Sequence, residues 1–332
     1  MLLIPFEEMK ATLKKILEKK GFSENKADLI AKTLSESTLD GYHSHGINRF
    51  VLLLNLIKKG VIAIEKEAKN IFSLGAFERW DGQQGPGIIN AHICMSRCIE
   101  LAKNHGMACV ALQNNNHWFR GGTYGWQAAN QNCMAICFTN TKANIPPWGS
   151  KEPRTGNNPL IIAVPHPEGH VVLDISMSQF SYGRMSTYAM EGKDMPYPAG
   201  HNKADQLTTD PKEIIETERA LPIGYWKGSG LSMMLDLLAT TLSAGLSTAE
   251  ISKKGDETGL SQVFICWDID KTGNTHYKDM VQGIVENYCS AQPIEEGEKV
   301  PFPGQQTLER RKKHLQEGIP VNEKVWKEIL EQ

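Results

Sequence analysis

The passage from residue 88 to residue 112 restricts the possible folds more than any other stretch. Apolar residues recur at helical spacing over 88–105, Gly106 stops the helix, and 107–112 is one continuous apolar run. A run that short and apolar throughout reads as a strand buried on both faces. A helix feeding straight into it implies a layered α/β core. Runs at 134–139, 160–164, 171–174 and 262–267 supply further strands. Those at 160–164 and 171–174 close around the turn Pro167-Glu168-Gly169 as an antiparallel hairpin, so the sheet is expected to be mixed.

Ahead of this core the periodicity is helical. Phe6, Met9, Leu13, Ile16 and Leu17 form one stripe ending at Gly21, and Ser23 is placed to cap a second helix with Ala27, Ile30, Ala31 and Leu34 inward. A third helix carries Phe50, Val51, Leu54 and Ile57, and a strand pair is expected near 71–80. Residues 185–222 are turn-rich and read as loops with one short helix near 212–219. Trp226-Lys227-Gly228-Ser229-Gly230 opens a strong helix expected to turn Leu231, Met234, Leu235, Leu238 and Leu242 inward. Helices are also expected at 281–288 and 321–330. The chain divides into an N-terminal helical substrate and dimer region (1–80), an α/β core (81–300) and a C-terminal helical segment packing back on the start (301–332).

With 332 residues and a net charge of -2, the chain has no electrostatic footprint for nucleic acid; the basic run Arg310 to His314 reads as a solvated helix face. The first residues are too charged for a secretory signal, and the apolar stretch 231–246 is interrupted by Asp236, so no membrane span is expected. Seven cysteines without a regular framework suit reduced thiols and a cytoplasmic location, and their CxxxC spacings do not suggest zinc.

Four stretches offer chemistry. In Ser44-His45-Gly46-Ile47-Asn48-Arg49, a helical reading puts His45 and Arg49 on one face, a proton donor beside a two-pronged carboxylate clamp; the structural alternative is a packed histidine and a solvated arginine. His117 follows Asn114-Asn115-Asn116 in what reads as a polar loop at a strand end, where the amides would orient substrate hydroxyls. Lys227 with Gly228-Ser229-Gly230 marks a helix start suited to an anion. Asp174, with Ser176 and Ser178 beyond a strand end, suits ribose hydroxyls or a simple turn. No glycine-rich dinucleotide fingerprint, phosphate-binding lysine loop, HExxH helix or GxSxG elbow is present. Three histidines, His43, His45 and His117, leave a metal-dependent hydrolase as a rival reading; a non-catalytic sugar-acid binder is another.

These stretches, in order, resemble the malate/L-lactate dehydrogenase family of non-Rossmann NAD(P)-dependent oxidoreductases. The resemblance is carried by Ser44-His45-Gly46 with Arg49, Asn116-His117, Asn158-Pro159-Leu160, Asp174 with Ser176 and Ser178, and Lys227-Gly228. It implies a three-layer α/β fold with a mixed sheet, of the L-sulfolactate/malate dehydrogenase kind, beneath an N-terminal helical layer. It also implies a cytoplasmic homodimer that uses NADH, or NADPH, to reduce the 2-keto group of a keto sugar acid, 2,3-diketo-L-gulonate, with malate, lactate or ureidoglycolate as alternative chemistry. His45 would be the general acid and Arg49 the clamp, with His117 competing for the acid's role. The cofactor would lie along His170, Val171, Val172, Leu173, Asp174, Ile175 and Ser176, at Trp226 and Lys227, and at Gly304, Gln305 and Gln306, with no metal involved. Asn157, Trp118 and Ser229 depart from the residues usual in the family.

Overall fold

Met9, Leu13, Ile16 and Leu17 fall on one face because they repeat every three or four residues, and that face is fully buried in α1 (Phe6–Lys19) of the computed structural model, which describes residues 1–332. A short β1 (Leu2–Ile4) precedes it, and α2 (Glu24–Leu39) packs against it through Ala27, Ile30, Ala31 and Leu34. Two single 3-10 turns, His43–His45 and Ile47–Arg49, lead into α3 (Phe50–Lys58).

The chain then runs through β2 (Lys69–Leu74), β3 (Phe77–Asp81), α4 (Gly87–His105), β4 (Met107–Asn116), α5 (Gly122–Ala129) and β5 (Cys133–Thr139). A small clip, β6 (Ala143–Ile145) and β7 (Thr155–Gly156), precedes the hairpin β8 (Leu160–Val164) and β9 (Val171–Ile175). A lobe of α6 (Tyr182–Glu191), β10 (Gly200–His201), β11 (Leu207–Thr208) and α7 (Pro211–Thr217) follows. The remainder is α8 (Trp226–Ser243), α9 (Thr248–Lys253), β12 (Thr258–Asp268), α10 (Tyr277–Cys289), α11 (Gln305–Glu317), β13 (Ile319–Val321) and α12 (Glu323–Leu330).

Seven strands form one mixed sheet in the order β2-β3-β4-β12-β5-β8-β9, with only β3 and β4 parallel. The late strand β12 slots between β4 and β5, antiparallel to both. Alternation along β4 and β12 sends Val110, Leu112, Phe264 and Cys266 to one face, under α4 and α5, and Ala111 and Val263 to the other, under α8. This gives three layers, helix, sheet and helix. Each fully buried Leu, Ile or Phe in them contributes about 1.5–3 kcal/mol. At the chain's end β13 pairs antiparallel with β1, so Ile319, Val321, Trp326 and Ile329 share the N-terminal helical core.

The structure departs from the sequence expectations in four places. Residues 44–49 are two 3-10 turns broken at Gly46, not one α-helix. Residues 113–116 are the last rungs of β4 rather than loop, because β3 pairs with Gln113 and β12 with Asn115 and Asn116. The segment 185–222 begins inside the ten-residue α6 (Tyr182–Glu191), capped by Ser181, and also holds the expected short helix. In α8 the buried residues are Gly228, Ser232, Leu235, Ala239 and Ser243, whereas Leu231, Met233, Met234, Leu237 and Leu238 are exposed. Small residues face the sheet because they let the helix backbone approach it, which turns the bulky apolar residues outward.

Candidate active site

His45, Arg49 and His117 come together although the last is 68 positions from the second. Gly46 makes the first half possible: a Cβ there would lie 2.2 Å from Thr38 Oγ1, which accepts the Ile47 N–H at 3.1 Å. The break between the two 3-10 turns is thereby pinned to α2, and His45 and Arg49 both turn toward the end of β4. There His117 stacks on His45 with ring centroids 6.0 Å apart and planes at 19°, and Arg49 Nη1 lies 3.1 Å from His117 Nε2. Ser44 Oγ sits 3.1 Å from His45 Nδ1 and fixes the ring from behind.

The site is cationic and lacks a neutralising partner. Arg49 has His117 as its one polar contact and no carboxylate within ion-pair reach, unlike Arg97, Arg120 and Arg311, each of which holds an aspartate or glutamate. Burial, then Arg49 and Arg120, push the His45 imidazole down to about 3. Burial also holds His117 well below the usual histidine range, with Arg49 and His45 acting in the same direction. Both imidazoles are thereby disfavoured as cations, and the charges acting on His45 are the guanidiniums of Arg49 and Arg120, while the Glu257 carboxylate acts on Arg49 only from beyond ion-pair distance.

The asparagines before His117 do not face the site. Asn115 bridges Asn90 Nδ2 at 2.9 Å and Gln262 Oε1 at 2.9 Å; Asn116 donates to Gln84 O at 2.8 Å and accepts from Thr258 Oγ1 at 2.8 Å. Asn114 is spent on Asp81. Asn115 and Asn116, both buried, brace the 82–87 turn and the register of β12. Two residues that pattern reading left without a role border the site instead. Arg120 forms a buried ion pair with Asp40, lies 4.1 Å over the Tyr42 ring and adds its charge to His45. Asp40 also accepts from Arg311 Nε at 2.7 Å, tying α11 to the end of α2. A histidine-to-arginine spacing is visible in a sequence; an ion pair across 80 residues is not.

The segments expected to hold a cofactor gather along β9. Val172 N–H donates to Pro303 O at 2.9 Å, and Gly304, at φ 102°, packs so closely that a Cβ would lie 2.9 Å from His170 O; Gln305 and Gln306 therefore begin α11 beside the start of β9. Val171 and Leu173 pair with Val164 and Ile162, and His170 Nε2 meets Asn130 Oδ1 at 3.0 Å. At the strand's other end Ser176 Oγ lies 3.0 Å from Ser178 Oγ, and the Ser178–Pro222 bridge with the Ile223 N–H to Met177 O bond brings in the start of α8. Asp174 accepts the Gly122 N–H at 2.8 Å; burial pushes its carboxyl up, against Arg120. The helix start differs from the expectation in one respect. The N–H groups of Lys227, Gly228 and Ser229 are taken by the carbonyls of residues 224, 223 and 225, so an anion there would meet the Lys227 side chain and the exposed Trp226 rather than a free backbone nest. No three His, Cys, Asp or Glu side chains converge tightly enough to ligate a metal ion.

Comparison with known proteins places this geometry in a family. The family model for malate/L-lactate dehydrogenase matches residues 4–330. The chain belongs to the malate/L-lactate dehydrogenase family. It is therefore an oxidoreductase of the class that interconverts hydroxy and keto acids with a nicotinamide cofactor. Over 328 residues, 98% of each chain, it is 41% identical to 2,3-diketo-L-gulonate reductase from Escherichia coli. Among solved structures it resembles malate dehydrogenase from Entamoeba histolytica, with TM-score 0.94, 26% identity and coverage of 99% of this chain and 96% of that one. Sulfolactate dehydrogenase from Methanocaldococcus jannaschii gives TM-score 0.90 at 26% identity, covering 99% and 95%. The three-layer mixed-sheet fold expected of the dehydrogenase family is the fold observed.

Proposed function

We propose that this dehydrogenase-family chain reduces the 2-keto group of 2,3-diketo-L-gulonate, using NADH in preference to NADPH. The observation that carries the reading is Arg49, a guanidinium set into the cleft beside two neutral imidazoles with no carboxylate of its own. A half-buried guanidinium with no carboxylate within ion-pair reach is under-compensated, Glu257 acting on it only from a distance, and the carboxylate of a keto acid supplies a direct partner. The sugar-acid assignment and the NADH preference rest on the 41% identity to the reductase.

The donor set fits a dinucleotide: a carboxylate (Asp174) for ribose hydroxyls, an unpaired lysine (Lys227) for phosphate and an exposed indole (Trp226) for a ring. When bound, the nicotinamide supplies two electrons and one hydrogen to the carbonyl carbon. Arg49 fixes the substrate carboxylate, which sets the neighbouring carbonyl in the cleft, and His45 delivers a proton to the developing alkoxide oxygen. The substrate's charge offsets that of Arg49, so the His45 pKa rises on binding and the ring becomes a competent acid only when substrate is present.

In this reading residues 1–80 form the substrate and dimer region, and 81–300 form the cofactor-binding core. Residues 301–332 pack back on the N-terminal region and add Gly304, Gln305 and Gln306 to the cofactor site, and the enzyme is a cytoplasmic homodimer. The outward apolar face of α8 supports the dimer, and seven free cysteines support a reducing compartment. No helix is long and apolar enough to cross a membrane. The test is nicotinamide oxidation, followed by absorbance, against a panel of keto acids with both cofactors. The diketo sugar acid with NADH should give the highest kcat/KM; oxaloacetate, pyruvate or oxalurate ahead of it would move the enzyme to another branch of the family.

A further inference from the structure

Both ring nitrogens of His117 face hydrogen-bond donors. The Phe119 N–H reaches Nδ1 at 2.9 Å, and Arg49 Nη1 lies 3.1 Å from Nε2. A neutral imidazole has one lone pair and one N–H, and a guanidinium has no acceptor, so only one of these contacts can be a hydrogen bond. The backbone donor is the fixed one. Phe119 is held in the left-handed region at φ 66°, with its side chain buried against the His117 ring, whereas Arg49 sits on a rotatable stem. The lone pair therefore lies at Nδ1 and the proton at Nε2. Two N–H groups, His117 Nε2–H and an Arg49 Nη1–H, are left side by side with no acceptor of this chain within hydrogen-bond distance.

We propose that His117 Nε2–H and Arg49 Nη1–H form a two-donor seat for one oxygen of the substrate carboxylate, so that His117 binds and keeps its proton while His45 alone gives one up. The seat rests on the keto-acid reading above and sharpens it. Protonating His117 would set a second ring N–H against the Phe119 N–H, which forbids the cycling between two forms that an acid catalyst needs. Burial and the adjoining guanidinium keep the ring neutral, as a permanent Nε2–H donor requires. His45 differs: the Ser44 hydroxyl at its Nδ1 can donate or accept, so both protonation states are accommodated.

Two measurements test the seat on NADH-saturated enzyme. Nitrogen NMR of 15N-histidine-labelled protein should show His117 as the neutral Nε2–H tautomer, unchanged when oxalate, an inert dicarboxylate, is added. His117→Gln, whose amide places an N–H near the Nε2 position, should keep kcat within about tenfold, and His117→Leu should weaken oxalate binding by roughly 10- to 100-fold, the loss expected for one charge-assisted hydrogen bond. An Nδ1–H or doubly protonated ring overturns the proposal. So does oxalate bound equally well by wild type and His117→Leu, or kcat abolished in His117→Gln with KM unchanged. If wild-type enzyme reduces no keto acid, the proposed function falls, and the oxalate titration and NMR still decide the seat.

Discussion

In the proposed mechanism His45 has to be an acid in a place that keeps it from being protonated. Its pKa of about 3 in the free protein comes from burial first and from Arg49 and Arg120 after that. Protonation is then taken up with substrate, whose carboxylate offsets Arg49. The sign follows from which species reacts. Reduction consumes the imidazolium, so kcat/KM, which reports the free enzyme, should fall about tenfold per pH unit across the neutral range. The turnover number reports the complex, where the pKa is raised, so it should level off at low pH and decline only above that raised value. Stopped-flow or steady-state rates between pH 5 and 9 separate the two, and calorimetry in buffers of different ionisation heat should register proton uptake on binding. His45→Asn should lower kcat by roughly 10²- to 10⁴-fold; a near-normal kcat in that variant, with both pH limbs retained, would remove His45 from the chemistry.

The element that carries most beyond its own packing is α8. Its inner face of Gly228, Ser232, Leu235, Ala239 and Ser243 lies on the sheet, while Met234 and Leu238 are 50% and 43% exposed on the outer face. A helix with an apolar outer face calls for a cover there, and the proposed dimer would supply it. The double variant Met234→Glu with Leu238→Glu should fold normally, because neither side chain enters the core, and should sediment as a monomer. A dimer that survives those two charges would place the subunit contact elsewhere. The opposite face behaves as core: Leu235→Ala leaves a cavity against Phe138 and Val263, where such losses run to about 2–5 kcal/mol.

Across the whole molecule, one buried ion network joins three distant parts of the chain. Asp40 at the end of α2 holds Arg120, just after β4, and Arg311 on α11; Tyr42 OH lies 3.1 Å from Thr307 Oγ1, and His314 Nδ1 is 2.6 Å from Leu39 O. The segment carrying Gly304, Gln305 and Gln306 is thus fastened to the segment carrying His45. Asp40→Ala strands the Arg120 guanidinium, which is 5% exposed, and should cost about 3–5 kcal/mol in denaturant unfolding. Arg311 is about one-third exposed, so its loss should cost clearly less. Equal losses in the two variants would mean that solvent reaches Asp40.

Much of this protein could be read from local spacing. The stripes of α1 and α2, the helix 88–105 with its glycine stop and the hairpin of β8 and β9 all depend on residues within a few positions of one another, and periodicity reports such contacts directly. What local spacing does not contain, the tertiary structure decided. Gly46 takes a broken turn because Thr38 stands behind it, Asn115 and Asn116 are brackets because β12 arrives from 140 residues later, and the bulky residues of α8 point outward because the small ones fit the sheet. The tautomer of His117 belongs to the same group: it is set by a donor on either side of the ring, and one of them, Arg49, comes from 68 residues earlier in the chain. A pattern along the chain fixes which face a residue shares with its near neighbours; only packing in three dimensions fixes what stands opposite that face.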